Sequence, residues 1–258
     1  EKTGNATLLF QRRMESYHEN EDGSLRVMTK KTTANDGAFA TASEDEDALE
    51  LDEEVFVTNK LVLCLGAWTC HILGKALLDV VPLTVERKVL FWFEPEPEPE
   101  PEPDDPFHSD NFPVYIWDCG DKGAFYGFPR GEKGLKVAMH YANGVSTAQD
   151  ACTPQTIDRT VADSEVDLIR ESLSQRIPAV AKGSLQDTAT CMYTMTNDTH
   201  FLLDFHPSHA EGKNVIVASP CSGHGFKMGP VIGEILADLA VQGETKHNIS
   251  LFSCRGRI

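Results

Sequence analysis

The residues best suited to chemistry in this 258-residue chain lie near its C-terminal end, where Val215-Ile216-Val217-Ala218 runs into Ser219-Pro220-Cys221-Ser222-Gly223-His224-Gly225-Phe226. A β-branched run feeding a glycine-containing turn and then a helix makes a site for an anion or an electron-rich ligand edge. Glycine lets a ligand approach the backbone, and the helix N-terminus offers partial positive charge. The same glycines also suit a tight strand-to-helix turn with no ligand, and spacing alone leaves both readings open. Lys227 falls in the first turn of the predicted helix, where a cation opposes the dipole and stands against local preference. Lys136 and His140 lie four residues apart in a strand-like stretch and share a face. An inward lysine needs a partner or a task, whereas an exposed edge-strand lysine is the plainer alternative. Cys191 stands directly before Met192-Tyr193-Thr194, and a lone cysteine in a strand ordinarily serves as a small buried apolar residue.

The elements that must position these residues form a mixed α and β pattern without internal repeats. Short strands are predicted at Leu8–Phe10 and Leu25–Thr29, with a Glu21-Asp22-Gly23-Ser24 turn between them. Val55–Val57 and Leu61–Leu65 read as a further pair, the second ending in Gly66-Ala67-Trp68 ahead of a helix through His71–Leu77. Leu83–Phe93, Val114–Asp118, Ala124–Phe128, Leu135–His140, Cys191–Thr196, Phe201–Phe205 and Val215–Ala218 are the remaining strand candidates. Ser164–Gln175 is predicted helical, with Val166, Ile169 and Leu173 on one face and Ser164 with Asp167 as a capping pair. Phe226–Val241 carries an apolar stripe of Met228, Val231, Ile232, Ile235, Leu236 and Leu239.

Charge narrows the partners. Forty acids against 23 Lys and Arg give a net charge of −17. That argues against binding a nucleic-acid backbone or an anionic membrane surface. The longest apolar run is too short to span a bilayer. Fifteen of the acids fall in two blocks without a base, Glu44–Glu54 and Glu94–Asp105; setting them aside brings −17 to −2. Residues 35–54 and 94–106 are read as acidic loop insertions, the second an extended, solvated Glu-Pro spacer because proline at alternate positions removes donors and fixes φ. Seven scattered cysteines without a CxxC pair suit a reducing compartment better than a disulfide scaffold or a metal site. The first residues lack both an initiator Met and an apolar leader, so the chain is expected to begin mid-protein.

Taken together, Cys191-Met192-Tyr193-Thr194, Asp198-Thr199-His200-Phe201, Asp204-Phe205-His206-Pro207 and Ser222-Gly223-His224-Gly225-Phe226-Lys227 resemble the C-terminal half of the monomeric sarcosine oxidase family. These are flavin-dependent amine oxidases, including N-methyltryptophan and pipecolate oxidases. The resemblance continues through Pro230–Glu234 to His247–Phe252, and reaches back through Phe125–Pro129, Gly134–Lys136 and Pro82–Arg87 to Leu63–Trp68. It implies an α/β and α+β fold: a partial FAD-binding domain of Rossmann-like, glutathione-reductase type (residues 1–80 and 205–258) with an antiparallel β-sheet substrate domain (81–204). It implies FAD as cofactor, joined by a thioether to Cys191, and oxidation of sarcosine or a related N-methyl or cyclic amino acid to an imine, with hydrogen peroxide as the second product. A small amino acid and oxygen would be the only partners of a monomer.

By the same resemblance, Lys136 promotes the reaction of the reduced flavin with oxygen, while Tyr126, His140 and Tyr193 line the substrate cavity. Lys227 pairs with the substrate carboxylate, Ser222, Gly223, His224, Gly225 and Phe226 hold the flavin's pyrimidine edge, and Gly66 lies on the dinucleotide side. The sequence departs from the family in three respects. No G-x-G-x-x-G turn for the FAD pyrophosphate precedes residue 55, and the arginine that the family carries in that part is absent with it. Cys221 places a second thiol beside the glycine turn, and the acidic insertions have no family counterpart. The isolated chain is therefore expected to hold FAD weakly. The competing expectations are a catalytically inactive remnant whose acidic arm recruits a basic partner, and a glycine-type or deaminating oxidase on the same fold. The terminal Gly-Arg-Ile is not a Ser-Lys-Leu address, so both peroxisome and cytoplasm stay open.

Overall fold

The structure is a computed structural model that describes residues 6–32, 53–73, 77–97, 104–120, 123–141, 151–209 and 211–254. The strands are β1 (Arg12–Glu19), β2 (Leu25–Lys31), β3 (Glu53–Thr58), β4 (Leu61–Leu63), β5 (Leu83–Glu94), β6 (Tyr115–Asp118), β7 (Ala124–Gly131), β8 (Gly134–Tyr141), β9 (Ser184–Thr196), β10 (Leu202–Phe205) and β11 (Val215–Ser219). The helices are α1 (Thr69–Ile72), α2 (Asp163–Ser174), α3 (Pro178–Lys182) and α4 (Gly229–Gln242). The chain divides into two units, Glu1–Thr84 with Thr194–Ile258, and Val85–Tyr193.

The first unit holds two three-stranded sheets. In one, β1, β2 and β3 pair antiparallel, and the β1–β2 turn is closed by the Asp22 carboxylate, which accepts the Ser24 N–H and hydroxyl at 2.9 and 2.6 Å. In the other the order is β10-β11-β4, with β10 antiparallel and β4 parallel to β11. Alternation along β11 sorts its side chains. Val215 and Val217 join Leu25, Leu63 and Leu77 in one core, while Ile216 and Ala218 pack with Ile232, Ile235 and Leu239 of α4 in another.

The second unit is a five-stranded sheet of order β6-β7-β8-β5-β9. One face carries Phe91, Phe93, Phe125, Leu135 and Val137, which pack with Ile169 and Leu173 of α2 and Val180 and Ala181 of α3. Arg87 ties the segment before α2 to β5: its Nε donates to the Asp158 carbonyl at 2.6 Å and one terminal nitrogen to Glu165 Oε1 at 2.6 Å. Burial pushes the Glu165 carboxyl up, but the Arg87 bonds and the Ala162 N–H outweigh it and hold the group below its ordinary range. A depressed folded value means stability that is present above the unfolded pKa of about 4.3 and lost as pH falls through the folded one. Urea titrations should therefore show Glu165→Gln less stable than the parent at pH 7 by up to about 1 kcal/mol, as for a partly solvent-screened ion pair, with the two curves converging in acid. A deficit that stays constant down to pH 3 would refute this reading.

Several elements differ from those expected. Leu8–Phe10 is exposed and outside any strand; pairing starts at Arg12, opposite Lys31. Glu53 and Glu54 belong to β3 rather than to a loop, because they pair with Lys30 and Thr29, and an ion pair of 3.2 Å joins Glu53 to Lys30. The rest of that insertion, 35–52, lies outside the described residues. The helical turn expected over His71–Leu77 begins earlier, at Thr69, whose hydroxyl donates to the Gly66 carbonyl at 2.6 Å; residues 74–76 lie outside the described ones. Helix α2 starts at Asp163, and its N-terminal bond is Ala162 N–H to Glu165 at 3.0 Å rather than a Ser164–Asp167 pair. The flanks of the Glu-Pro repeat are tied down instead of solvated. Arg130 lies 3.2 Å from Glu94 and 3.3 Å from Asp105, and the Glu96 N–H donates to the Ala179 carbonyl at 2.8 Å. Residues 98–103 lie outside the described ones.

Candidate active site

The sheet face opposite the helices gathers the reactive side chains of the second unit. Directly opposed residues of neighbouring strands point the same way, so the register Trp92–Lys136–Phe128 and Leu90–Ala138–Tyr126 puts β5, β7 and β8 side chains on one surface. His140 follows by alternation along β8. Lys136 is therefore on the middle strand of five, not on an edge, and its ammonium lies 5.1 Å from the Phe128 ring centre and 5.7 Å from that of Trp92. From β9, Tyr193 brings its hydroxyl 3.3 Å from His140 Nδ1, with the two rings 5.7 Å apart. Tyr126 stands edge-on to His140 at 6.2 Å and is hydrogen-bonded to Tyr193. Burial raises both phenols above their ordinary range, so each acts as a neutral hydrogen-bonding group near pH 7. Cys191 is a free, half-buried thiol. Burial pushes it up, while the ammonium groups of Lys136 and Lys88 pull it back.

The first unit supplies a backbone site. The parallel strands β4 and β11 run in register from Leu61–Val215 to Leu63–Val217, so the turns that follow them open at the same edge of the sheet. After β4 comes Gly66 at φ 54°, and after β11 come Ser222 and Gly223 at φ 44° and 75°. A crevice outside the carboxyl ends of parallel strands is the usual ligand position in α/β sheets. The Ser222 N–H is spent on the Thr194 carbonyl at 2.9 Å, which anchors the turn to the end of β9. Cys64 and Cys221 are near enough to raise the Cys64 thiol further beyond what its burial does. Phe226, Lys227 and Met228 form a separate, exposed 3-10 turn, and α4 begins only at Gly229 with Pro230 in its first turn. Lys227 accordingly lies one residue before Met228, the N-cap of α4, rather than inside its first turn.

The structure thus brings Tyr126, Lys136, His140, Cys191 and Tyr193 together in one unit, and Gly66 with Ser222–Lys227 in the other. Sequence reasoning missed Glu86 and Lys88. The signal was there: Glu86 and Lys88 flank Arg87, and alternation puts them on the face opposite it, the face shared with Leu90 and Trp92. Among the described residues no cluster has the makings of a metal site, and no helix is long and apolar enough to cross a membrane.

Residues 6–239 match the family model described as FAD dependent oxidoreductase (DAO). The chain is 42% identical over 206 residues to monomeric sarcosine oxidase of Streptomyces avermitilis, covering 79% of this chain and 49% of that protein. It is 28% identical to the human peroxisomal sarcosine oxidase, covering 81% and 53%, and 29% identical to N-methyl-L-tryptophan oxidase of Salmonella newport, covering 75% and 46%. Among solved structures, L-proline dehydrogenase from P. horikoshii superposes with a TM-score of 0.62 at 18% identity, over 94% of this chain and 53% of that one. Amadoriase I from Aspergillus fumigatus gives 0.58 at 20%, over 83% and 47%. At such identities the likeness is one of fold, and it bears out the expected mixed α/β class. The chain spans about half the length of the curated relatives it matches.

Proposed function

We propose, from the premise that this chain belongs to the FAD dependent oxidoreductase (DAO) family, that the protein oxidises secondary amino acids of the sarcosine type and hands the electrons to oxygen. The observation that carries this reading is the grouping of two tyrosines, a histidine, a lysine and a free thiol on one face of the five-stranded sheet. The residues present fit a flavin on two counts. The left-handed Ser222-Gly223 turn and the Gly66 turn offer backbone at the carboxyl edge of β4 and β11. Cys191 is a free, part-buried thiol beside the Lys136 and Lys88 ammonium groups; burial outweighs those cations and keeps it above its ordinary range, so the thiol would have to lose its proton as a covalent bond to the cofactor forms.

Bound FAD would supply the redox step, accepting a hydride equivalent from the N-alkyl carbon and passing the electrons to oxygen to give hydrogen peroxide. The chain's own residues bind and orient. Lys227 pairs with the substrate carboxylate, while Tyr126, His140 and Tyr193 form a neutral, hydrogen-bonding cavity wall. Lys136 places a fixed positive charge where negative charge develops on oxygen. Cys191 tethers the cofactor by a thioether. We assign FAD binding to residues 1–80 and 205–258 and substrate binding to 81–204, in a protein that works as a monomer.

Two measurements test this. The full-length protein should release peroxide with sarcosine or N-methyl-L-tryptophan in a panel that also includes glycine and primary amino acids; turnover confined to primary amines would move the activity to a different oxidase class. In Cys191→Ser, the yellow chromophore should leave the protein on acid precipitation, whereas in the parent it stays with the pellet. Flavin released equally from both would rule out the tether.

A further inference from the structure

Strand β5 carries a charge pair that the chemistry above does not use. Glu86 is 3% exposed, and the Lys88 ammonium lies 2.8 Å from its Oε2. The other carboxylate oxygen is buried without a hydrogen-bond partner among the described residues. Such pairs are poor stabilisers, because desolvating both ions offsets their attraction and apolar residues of similar volume often do as well or better. Position explains it instead. Lys88 alternates with Leu90 and Trp92 onto the reactive face, and its ammonium sits 5.6 Å from the centre of the Tyr193 ring. A cation over a ring face attracts the ring while leaving its edge hydroxyl free. That hydroxyl is the one held 3.3 Å from His140.

We propose that Lys88, oriented by Glu86, is a positioning residue for Tyr193: it clamps the ring so that the hydroxyl stays on His140 and Tyr126 in the wall that meets the substrate. The geometry stands alone; the kinetic consequence rests on the amine-oxidase reading. Arginine at 88 would keep both the ion pair and the cation–ring contact. Methionine would lose both and leave the Glu86 charge without its partner.

The test compares Lys88→Met, Lys88→Arg and the double variant Glu86→Gln/Lys88→Met in flavin-loaded full-length protein, with sarcosine and N-methyl-L-tryptophan as probes. Lys88→Met should raise KM about tenfold, the worth of one well-made hydrogen bond, with kcat changed by less than about twofold. Lys88→Arg should restore KM. The double variant should recover the melting temperature, since no buried charge is stranded, yet keep the high KM. If it regains both, the pair is structural and the proposal fails. Crystal structures of Lys88→Met and Lys88→Arg provide a readout independent of turnover: the Tyr193–His140 bond should be broken in the first and kept in the second. An intact bond in Lys88→Met overturns the proposal even if neither probe is oxidised, an outcome that would instead count against the amine-oxidase reading.

Discussion

Replacing Lys136 by methionine is expected to slow the reaction with oxygen by about 10²–10³-fold, the usual loss when a preorganised charge facing a developing anion is removed. The basis is where β8 puts this ammonium. On the middle strand of the sheet it lies over Phe128 and Trp92, and no carboxylate pairs with it among the described residues. Its charge is therefore unspent by the fold and available to chemistry. Methionine keeps the length and apolar stem that pack on the two rings, so the melting temperature should hardly move. Stopped-flow absorbance separates the half-reactions: anaerobic reduction by sarcosine should be nearly unchanged, with the oxygen step slowed. An oxygen rate equal to that of the parent would remove Lys136 from its assigned role.

The second large effect belongs to Gly225. A Cβ at this position would lie 1.5 Å from the Pro220 carbonyl oxygen, so any side chain must force the 220–225 turn open. The clash is with backbone, which cannot swing aside as a side chain would. Opening the turn would also disturb the Ser222 bonds to Thr194 and His200 that fasten it to its own unit. Gly225→Ala should thus cost more than about 3 kcal/mol and leave less than about a tenth of the parent's flavin per polypeptide. Absorbance at the flavin maximum, read against protein concentration, and a thermal melt measure the two consequences. Full flavin content at an unchanged melting temperature would mean that the turn relaxes and does not form the cofactor's seat.

How much of this was legible beforehand varies by element. Leu83–Phe93, Ala124–Phe128 and Leu135–His140 were legible as strands from their β-branched and aromatic content, and alternation along Leu135–His140 put Lys136 and His140 on one face, opposite the Leu135 and Val137 that pack in the core. What alternation cannot reveal is strand order. Lys136 reads as a plausible edge residue in one dimension, and only the pairing of β8 with both β7 and β5 makes it central. Helix starts slipped by one to three residues because the bonds that close the first turns, Thr69 hydroxyl to the Gly66 carbonyl and Ala162 N–H to Glu165, are local but join a side chain to backbone, leaving no residue-type pair for a pattern to recognise. Glu86 and Lys88 were passed over for a similar reason: within β5 they look like solvated charges, and it takes Tyr193, brought in by β9, to turn them inward.

The sheet order has a further consequence, for how the protein is made. Neighbours β5 and β9 are separated along the chain by β6, β7, β8 and two helices, so the reactive face is assembled from contacts roughly a hundred residues apart in sequence. Closing a loop of that span comes late and is slow compared with hairpins such as β7–β8, which can form as soon as their turn is synthesised. During translation, Lys136 and His140 therefore emerge well before Cys191 and Tyr193 exist to complete the face. Cofactor capture must follow release of almost the entire second unit from the ribosome, and until then the β5 edge stands open to any other strand that can pair with it.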